Sequence, residues 1–506
     1  MRQKGSITIF FSLILSIILS LAGALLFSSK IAAGRAQTAM AMDMAMYSAM
    51  AKYDADLLEM YHVFFIDAGF GTQTLKLGKV LDEVESDLSY LLEPSKGKYS
   101  WGSTDFLELS LESSSITGYT LATDQNGGIF REQIIQYMED TMVLQGISAL
   151  KDRLSEQSDI FQDQKDELAV LEKMTDGFSI ENIQDTESKS EIENSDENKE
   201  NQIPVLTKEE QIKIEDTKEI LKQVDKIKST SILNLLVENQ DSLSTWNMGE
   251  ESPVSKRECQ KGMGLAESLV ESDTLMSKYL FQEYILGNIN SYGAVCHDTG
   301  PMYGVEYILY GQNSDVKNLE KMVERLLLLR EASNTAYLYS DTEKRETANA
   351  IALLITSAVA LPELAPIVEA AIILAWAYVE SLVDVCGLLS GKSVPYVKNS
   401  NSWQVGFENL LPALMDCRNY CKSSGNSYYK DYLTLMLYTK SENTKTMRCM
   451  DVMEMSIREI PGKEDFSMDC AVDTLEIEIT VLAESKKMLQ TVHRQCYRDM
   501  YMRGGV

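Results

Sequence analysis

The stretch Ser6–Ser29, SITIFFSLILSIILSLAGALLFSS, holds 24 residues without a charge. At about 1.5 Å of rise per helical residue, it is long enough to cross a hydrocarbon core of about 30 Å. Lipid offers the backbone no hydrogen-bond partners, so the stretch is expected to be helical. Arg2 and Lys4 precede it, Lys30 and Arg35 follow it, and the next thirty residues carry more acid than base. That bias places the N-terminus inside and the bulk of the chain outside. A cleaved signal peptide is the rival reading, but its apolar region usually covers about 7–15 residues. The expectation is an uncleaved, single-pass anchor in the cell membrane, with lipid contacts through Ser6–Ser29 and an extracellular body.

The chain has 506 residues, 44% of them apolar, and carries 76 acidic against 47 basic side chains, a net charge of −29. This balance excludes a nucleic-acid partner, which needs clustered Lys and Arg, and a polybasic grip on anionic lipid. Eight cysteines, Cys259, Cys296, Cys386, Cys417, Cys421, Cys449, Cys470 and Cys496, all lie in the second half. In an exported chain they permit disulfides, with buried free thiols as the alternative. Cys417 and Cys421 are spaced to sit one helical turn apart, half of a metal site. The three histidines, His62, His297 and His493, are too scattered to complete one, so no metal is expected.

Beyond the apolar stretch the helical pattern continues to Tyr61, with Met40, Asp43, Tyr47, Met50, Asp54, Leu57 and Tyr61 on one stripe. Thr74–Leu92 reads as an amphipathic helix. Phe106–Glu112 alternates as a strand and is expected to pair with Gly118–Thr123. Asn126-Gly127-Gly128 marks a turn before a helix from Ile129 to Met174. The acidic, Ser- and Asn-rich 176–206 reads as a disordered linker, and a helix resumes over Thr207–Lys228.

Farther on, helices are expected over Lys256–Ile289, Asn318–Tyr339, Tyr428–Tyr438 and Lys445–Ile457, with a short strand at Val305–Tyr310. Ala348–Leu361 and Ile367–Val379 are each too short to span a bilayer. They read as two buried core helices, with a lipid-inserted hairpin as the alternative. Leu475, Ile477, Ile479 and Val481 alternate as a strand, or begin a helix running on to Met502. The fold class is therefore α+β, mostly α: a long N-terminal transmembrane helix continuing into an extracytoplasmic helical body with a small β-sheet. The expected domains are 1–30 (leader and anchor), 31–175 (a membrane-proximal helix with an α+β region), 176–206 (linker) and 207–506 (a mainly helical domain).

No chemistry-bearing motif emerges. The chain holds no G-x-S-x-G, H-E-x-x-H, G-x-G-x-x-G or G-x-x-x-x-G-K-[ST], and no Ca²⁺-binding D-x-[DN]-x-[DN]-G loop. No catalytic, cofactor-binding or metal-binding residue is expected, and the chain is not read as an enzyme. Glu369, Glu380 and Asp384 sit in apolar surroundings that demand partners; ion pairing with Arg or Lys is the expected role.

The first 35 residues resemble type IV pilin-like proteins: a short basic leader, Lys4-Gly5, then a long apolar helix. The resemblance implies prepilin-type processing at Lys4, Gly5 and Ser6, with Ser6 as the new N-terminus. Phe10 stands where pilins usually carry Glu. A likeness over nearly the whole chain rests on KGSITIFFSLIL (4–15), AKYDADLLEMYHVFFID (51–67), VEYILYG (305–311), LLLLREASN (326–334) and WAYVESLVDVCGLLSGKSVPYVK (376–398). These resemble an uncharacterised membrane-protein family of clostridia-type bacteria, encoded near tight-adherence (Tad-type) pilus genes and TadE/TadG-like pseudopilins. That resemblance implies an accessory or pseudopilin-like role in pilus or surface assembly, with pilus or other membrane assembly proteins as partners and no cofactor. An anchored adhesin or sensor module is the alternative, and an exported hydrolase a further one.

Overall fold

The structure, a computed structural model, describes residues 4–93, 106–141, 162, 207–228, 232–237, 243–249, 252–264, 274–483 and 487–496. The linker expected at 176–206 lies outside these residues, as do most of Ile129–Met174 beyond 141 and the 265–273 part of Lys256–Ile289. The fold is α+β and mostly helical. The chain divides into two compact units. One comprises Met1–Tyr137, Ser252–Thr274 and Met453–Val506, and the other Met138–Glu251 and Leu275–Val452. The expected domain at 207–506 is thus shared between both units.

The first unit is built on α1 (Lys4–Met50), a continuous helix of 47 residues. Its side chains from Ile7 to Phe27 stay outside any core, and from Thr38 onward one face is buried. Ala41, Met42, Ala45, Met46, Ala49 and Met50 recur at three-and-four spacing. They pack on Val80, Val84, Leu88 and Leu92 of α3 (Leu77–Leu92) and on the strand residues Leu475, Ile477, Ile479 and Val481. Met40 and Tyr47, placed on the expected stripe, are exposed instead. The helix also ends sooner than its composition predicts. Asp54 caps a new helix, α2 (Ala55–Tyr61), its carboxylate accepting the N–H groups of Asp56 and Leu57 at 3.0 Å each. A side-chain acceptor for otherwise unpaired donors starts a helix where apolar periodicity alone continues one.

β1 (Ile66–Asp67), β2 (Leu109–Leu121), β3 (Ala471–Ala483) and β4 (Lys487–Cys496) form one antiparallel sheet. β3 is central, with β2 along one edge and β1 and β4 along the other. The hairpin expected within 106–123 is instead the single strand β2. Ser113–Thr117 holds no Gly, Pro or Asn to make a tight turn, so the chain runs straight, with register shifts after Leu111, Ile116 and Thr120. The alternation at 475–481 is a strand, and 487–496 pairs with it rather than continuing as helix. On the far edge of β2, Tyr119 and Met263 exchange backbone hydrogen bonds. α4 (Asp124–Thr141) follows, broken within its first turn by positive φ at Gln125, Asn126 and Gly127, overlapping the turn expected at Asn126-Gly127-Gly128.

The second unit holds α5 (Lys208–Lys228), α6 (Leu233–Leu236), α7 (Leu275–Asn288), α8 (Gly304–Tyr310), α9 (Asp315–Ser340), α10 (Thr342–Ala358), α11 (Ala365–Leu389), α12 (Leu410–Met415), α13 (Tyr429–Tyr438) and most of α14 (Glu442–Arg458). α11 is its axis, packed against α5, α9, α10 and α12. From Ala375 to Leu389 every side chain is buried. Pro362–Leu389 is long and apolar enough to cross a membrane, yet 94% of its apolar window is enclosed by protein, which supports the core-helix reading. Val305–Tyr310 is the helix α8 rather than a strand; it is ended by Gly311 at φ 63°, a left-handed position that glycine takes without strain. Of the helix expected over Lys256–Ile289, the described helical part is α7.

Candidate functional site

Lys4 begins α1, with Gly5 and Ser6 in its first turn, so the three residues of the expected processing site are helical. From Ile7 onward the helix is long and apolar enough to cross a membrane, and none of its apolar window is buried. Phe10 is among the exposed side chains. Two hydroxyls on this stretch bond back to the helix: Ser12 Oγ and Ser16 Oγ each donate, at 2.8 Å, to the carbonyl three residues back. A hydroxyl satisfied by its own helix removes the largest cost of placing it in hydrocarbon.

In the first unit a cavity of about 290 Å³ opens where α1 gives way to α2. Its charges are paired: Lys463 Nζ lies 2.6 Å from Asp54 Oδ2 and also contacts Asp56, and Lys52 Nζ is 2.9 Å from Glu83 Oε2. Asp67 accepts the N–H groups of Gly69 at 2.9 Å and Gly71 at 2.6 Å. Burial raises its pKa, and those two hydrogen bonds oppose the rise. Tyr53 and Phe70 line the cavity beside these paired charges.

The second unit buries two polar clusters. Glu306 on α8 is fully enclosed; its Oε1 accepts from Tyr429 Oη at 2.8 Å and from the Tyr292 N–H at 3.0 Å, while Oε2 has no hydrogen-bond partner among the described residues. The rings of Tyr303 and Tyr429 flank Tyr292 at 5.6 and 5.8 Å. Loss of solvent pushes the Glu306 carboxyl up to about 7, despite the opposing Tyr429 hydrogen bond.

The second cluster contains Glu380 and Asp384, which meet the cations their positions call for. Lys398 Nζ is 2.7 Å from Asp384 Oδ1, and Arg330 Nη2 is 3.0 Å from Asp384 Oδ2. Glu369 pairs with Arg345 at 3.3 Å. Sequence reading did not single out Arg330, although its place directly after Leu326–Leu329 is a signal for a buried cation. Lys398 carried no such signal, because it reaches the cluster from a loop. Two cations facing two anions, all hydrogen-bonded, form a structural lock and leave no free acid or base.

Cys259, Cys296, Cys386, Cys417, Cys421, Cys449 and Cys470 are in no disulfide. Cys417 and Cys421 are not on one α-helix: Cys417 opens a 3₁₀ turn (Cys417–Asn419), and the Cys421 N–H donates to the Cys417 carbonyl at 3.2 Å. Among the described residues, no set of three or more His, Cys, Asp or Glu side chains is placed to hold a metal.

No curated protein and no solved structure matches the chain. A family described as being of unknown function (DUF5702) matches residues 209–483, from the first turn of α5 to the end of β3. The chain belongs to that family.

Proposed function

We propose that this member of a family of unknown function is a single-pass, membrane-anchored surface protein. Its N-terminus is cytoplasmic and its body extracellular, and it serves as an accessory or pseudopilin-like component of a Tad-type pilus or other surface assembly. The observation that carries the reading is the division of α1. One unbroken helix has a bare apolar half and a half built into a protein core. Soluble surfaces rarely expose contiguous apolar patches larger than a few hundred Å², and a bilayer covers such a surface on every side. Continuity of α1 then couples the first unit to the membrane without a flexible joint. The link to pili rests on the pilin-like start of the sequence, including Lys4, Gly5 and Ser6, and on the family resemblance. Partners are pilus or other membrane assembly proteins, and no catalytic role is assigned.

Replacing Leu15 and Ile18 by Arg tests the anchor, since a charge at mid-bilayer costs about 2.5–3.5 kcal/mol. The double variant should leave the membrane fraction or be degraded; unchanged fractionation overturns the reading. Mass spectrometry of the mature chain reports processing, with Ser6 as the N-terminal residue expected of a prepilin-type cut. The cavity beside Asp54 and Asp67 favours a second reading, an anchored binding module unrelated to pili. Co-purification with pilus assembly proteins from membranes supports the first reading, and its absence supports the second.

A further inference from the structure

Lys392 and Cys421 meet at the C-terminal end of α11, within the second unit. The helix closes in a turn in which the Lys392 N–H donates to the Gly387 carbonyl at 2.9 Å, past Gly391 at φ 75°. Lys392 Nζ then donates to the Cys421 carbonyl at 2.7 Å and to Cys421 Sγ at 3.1 Å. A Cβ placed on Gly387 would lie 3.6 Å from the Cys421 Cβ and 3.8 Å from the Lys392 Cβ, so both side chains rise beside one point on the α11 backbone. Cys421 follows the 3₁₀ turn, and its Sγ donates to the Arg418 carbonyl at 3.3 Å. Backbone bonds hold the two segments together: the Ser424 N–H donates to the Ser393 carbonyl at 2.9 Å, and the Val394 N–H to the Ser427 carbonyl at 2.8 Å. Cys421 is 4% exposed and Lys392 is half-buried, so the lysine is the member of the pair that meets solvent.

An oxidised cysteine, as sulfenic acid, condenses with the nucleophile beside it, and a nitrogen there gives a sulfenamide. The flexible stem of a lysine lets its nitrogen close the remaining gap. We propose that Cys421 and Lys392 form a peroxide-responsive site that closes a covalent Sγ–Nζ bond. In the first step the Cys421 thiolate attacks one oxygen of hydrogen peroxide and the O–O bond breaks. The sulfur keeps a hydroxyl, and the other oxygen leaves as water with a proton from the Lys392 ammonium. Giving up that proton leaves the amine neutral. In the second step the amine attacks the sulfur, the S–N bond forms, and the S–O bond breaks. The hydroxyl leaves as water with a proton from the nitrogen. Overall the thiol and the amine lose one hydrogen each, the sulfur gives up two electrons, and one peroxide becomes two waters. The Cys386 thiol and burial raise the Cys421 pKa, and Lys392 opposes them, so the sulfur reacts slowly near neutral pH. A free thiol reverses the bond by attacking the sulfur: a disulfide forms and the amine leaves with the proton of the thiol. While closed, the bond fastens the turn at Cys421 to the end of α11. The site depends on neither the anchor nor the pilus reading.

The test uses the full chain in detergent micelles, treated with hydrogen peroxide in mildly alkaline buffer, cleared of oxidant, alkylated, and digested with trypsin without reduction. Cleavage after Arg418 and Lys422 places Cys421 in the peptide 419–422, and a bond to Lys392 blocks cleavage there. The expected product joins 419–422 to 346–398, two hydrogens lighter than the sum of those peptides, and a thiol reductant separates them. A disulfide from Cys421 to Cys386 carries 346–392 instead, because Lys392 is still cleaved. Cys386→Ser should keep the product. Lys392→Arg retains a hydrogen-bonding cation; it should abolish the product and leave a Cys421 sulfenic acid that dimedone captures. The proposal is overturned if Cys421 of the native chain, after peroxide, is still alkylated, is captured by dimedone with Lys392 cleaved, or is joined to another cysteine. A product that survives Lys392→Arg overturns it as well.

Discussion

Lys398 Nζ lies 2.6 Å from Glu380 Oε1, and neither side chain has any exposure to solvent. The same ammonium donates to Asp384 and to the Ser402 carbonyl, while Glu380 also accepts the N–H groups of Gln404 and Val405 at 2.9 Å each. Arg330 Nη1 donates to the carbonyls of Pro395 and Tyr396 at 2.8 Å. One buried cluster thereby fastens the segment after α11 to two helices. Desolvating four charges is expensive, and full hydrogen bonding is what makes the arrangement tolerable.

Removing one partner should therefore be severe. Lys398→Met leaves a carboxylate pair without its shared cation and should cost about 3–5 kcal/mol in unfolding of the second unit. Adding Glu380→Gln, which keeps an acceptor and deletes a charge, should recover part of the loss. Urea denaturation of the full chain in detergent micelles, followed by circular dichroism, measures both. A loss below about 1 kcal/mol, the range of exposed pairs, would contradict the cluster.

Glu306 predicts a pH dependence with a definite sign. Its folded pKa, about 7, is above the ordinary carboxylate value of 4.5. Between those values the folded state holds a proton that the unfolded state has released, so stability falls as pH rises through this window. The difference approaches roughly 3 kcal/mol above pH 7. Glu306→Gln keeps the acceptor for Tyr429 and Tyr292 and mimics the protonated acid. It should match the native chain near pH 4.5 and exceed it near pH 8; equal stability at both would refute the assignment.

The phase of α1 is testable at two neighbouring methionines. Met46 is fully buried and Met44 is 59% exposed. Met46→Ala should destabilise the first unit by about 2–5 kcal/mol, and Met44→Ala by less than about 0.5 kcal/mol. Thermal unfolding separates them, and equal effects would mean the helix is turned differently.

Asp54 serves two purposes that its variants divide. Asp54→Ala removes the cap of α2, worth about 1–2 kcal/mol, and the ion pair with Lys463. Asp54→Asn retains an oxygen for the N–H groups of Asp56 and Leu57 and loses only the charge. Asn should therefore be the milder change in a melting experiment; a larger loss for Asn than for Ala would count against the capping role.

Local signals carried far in this chain where one principle acted alone. The absence of charge over 24 residues made the N-terminal helix legible, and alternation at Leu475–Val481 announced a strand. Glu380 and Asp384 advertised buried partners because charges in apolar runs must be neutralised. Legibility failed where two local principles competed. Periodicity carried a helix through Asp54, where capping chemistry started a new one. Val305–Tyr310 is too short for its period to be read, and its neighbours made it helical.

The sequence by itself determined the exposed apolar rod, the mostly helical class and the acidic surface, because each follows from composition or spacing over neighbouring residues. Only the tertiary structure decided that β2 pairs with β3 across more than 350 positions and that Lys398 joins Arg330 around Asp384. Those partners are distant along the chain and carry no shared pattern. Burial of common apolar surface, rather than any local preference, brings them together.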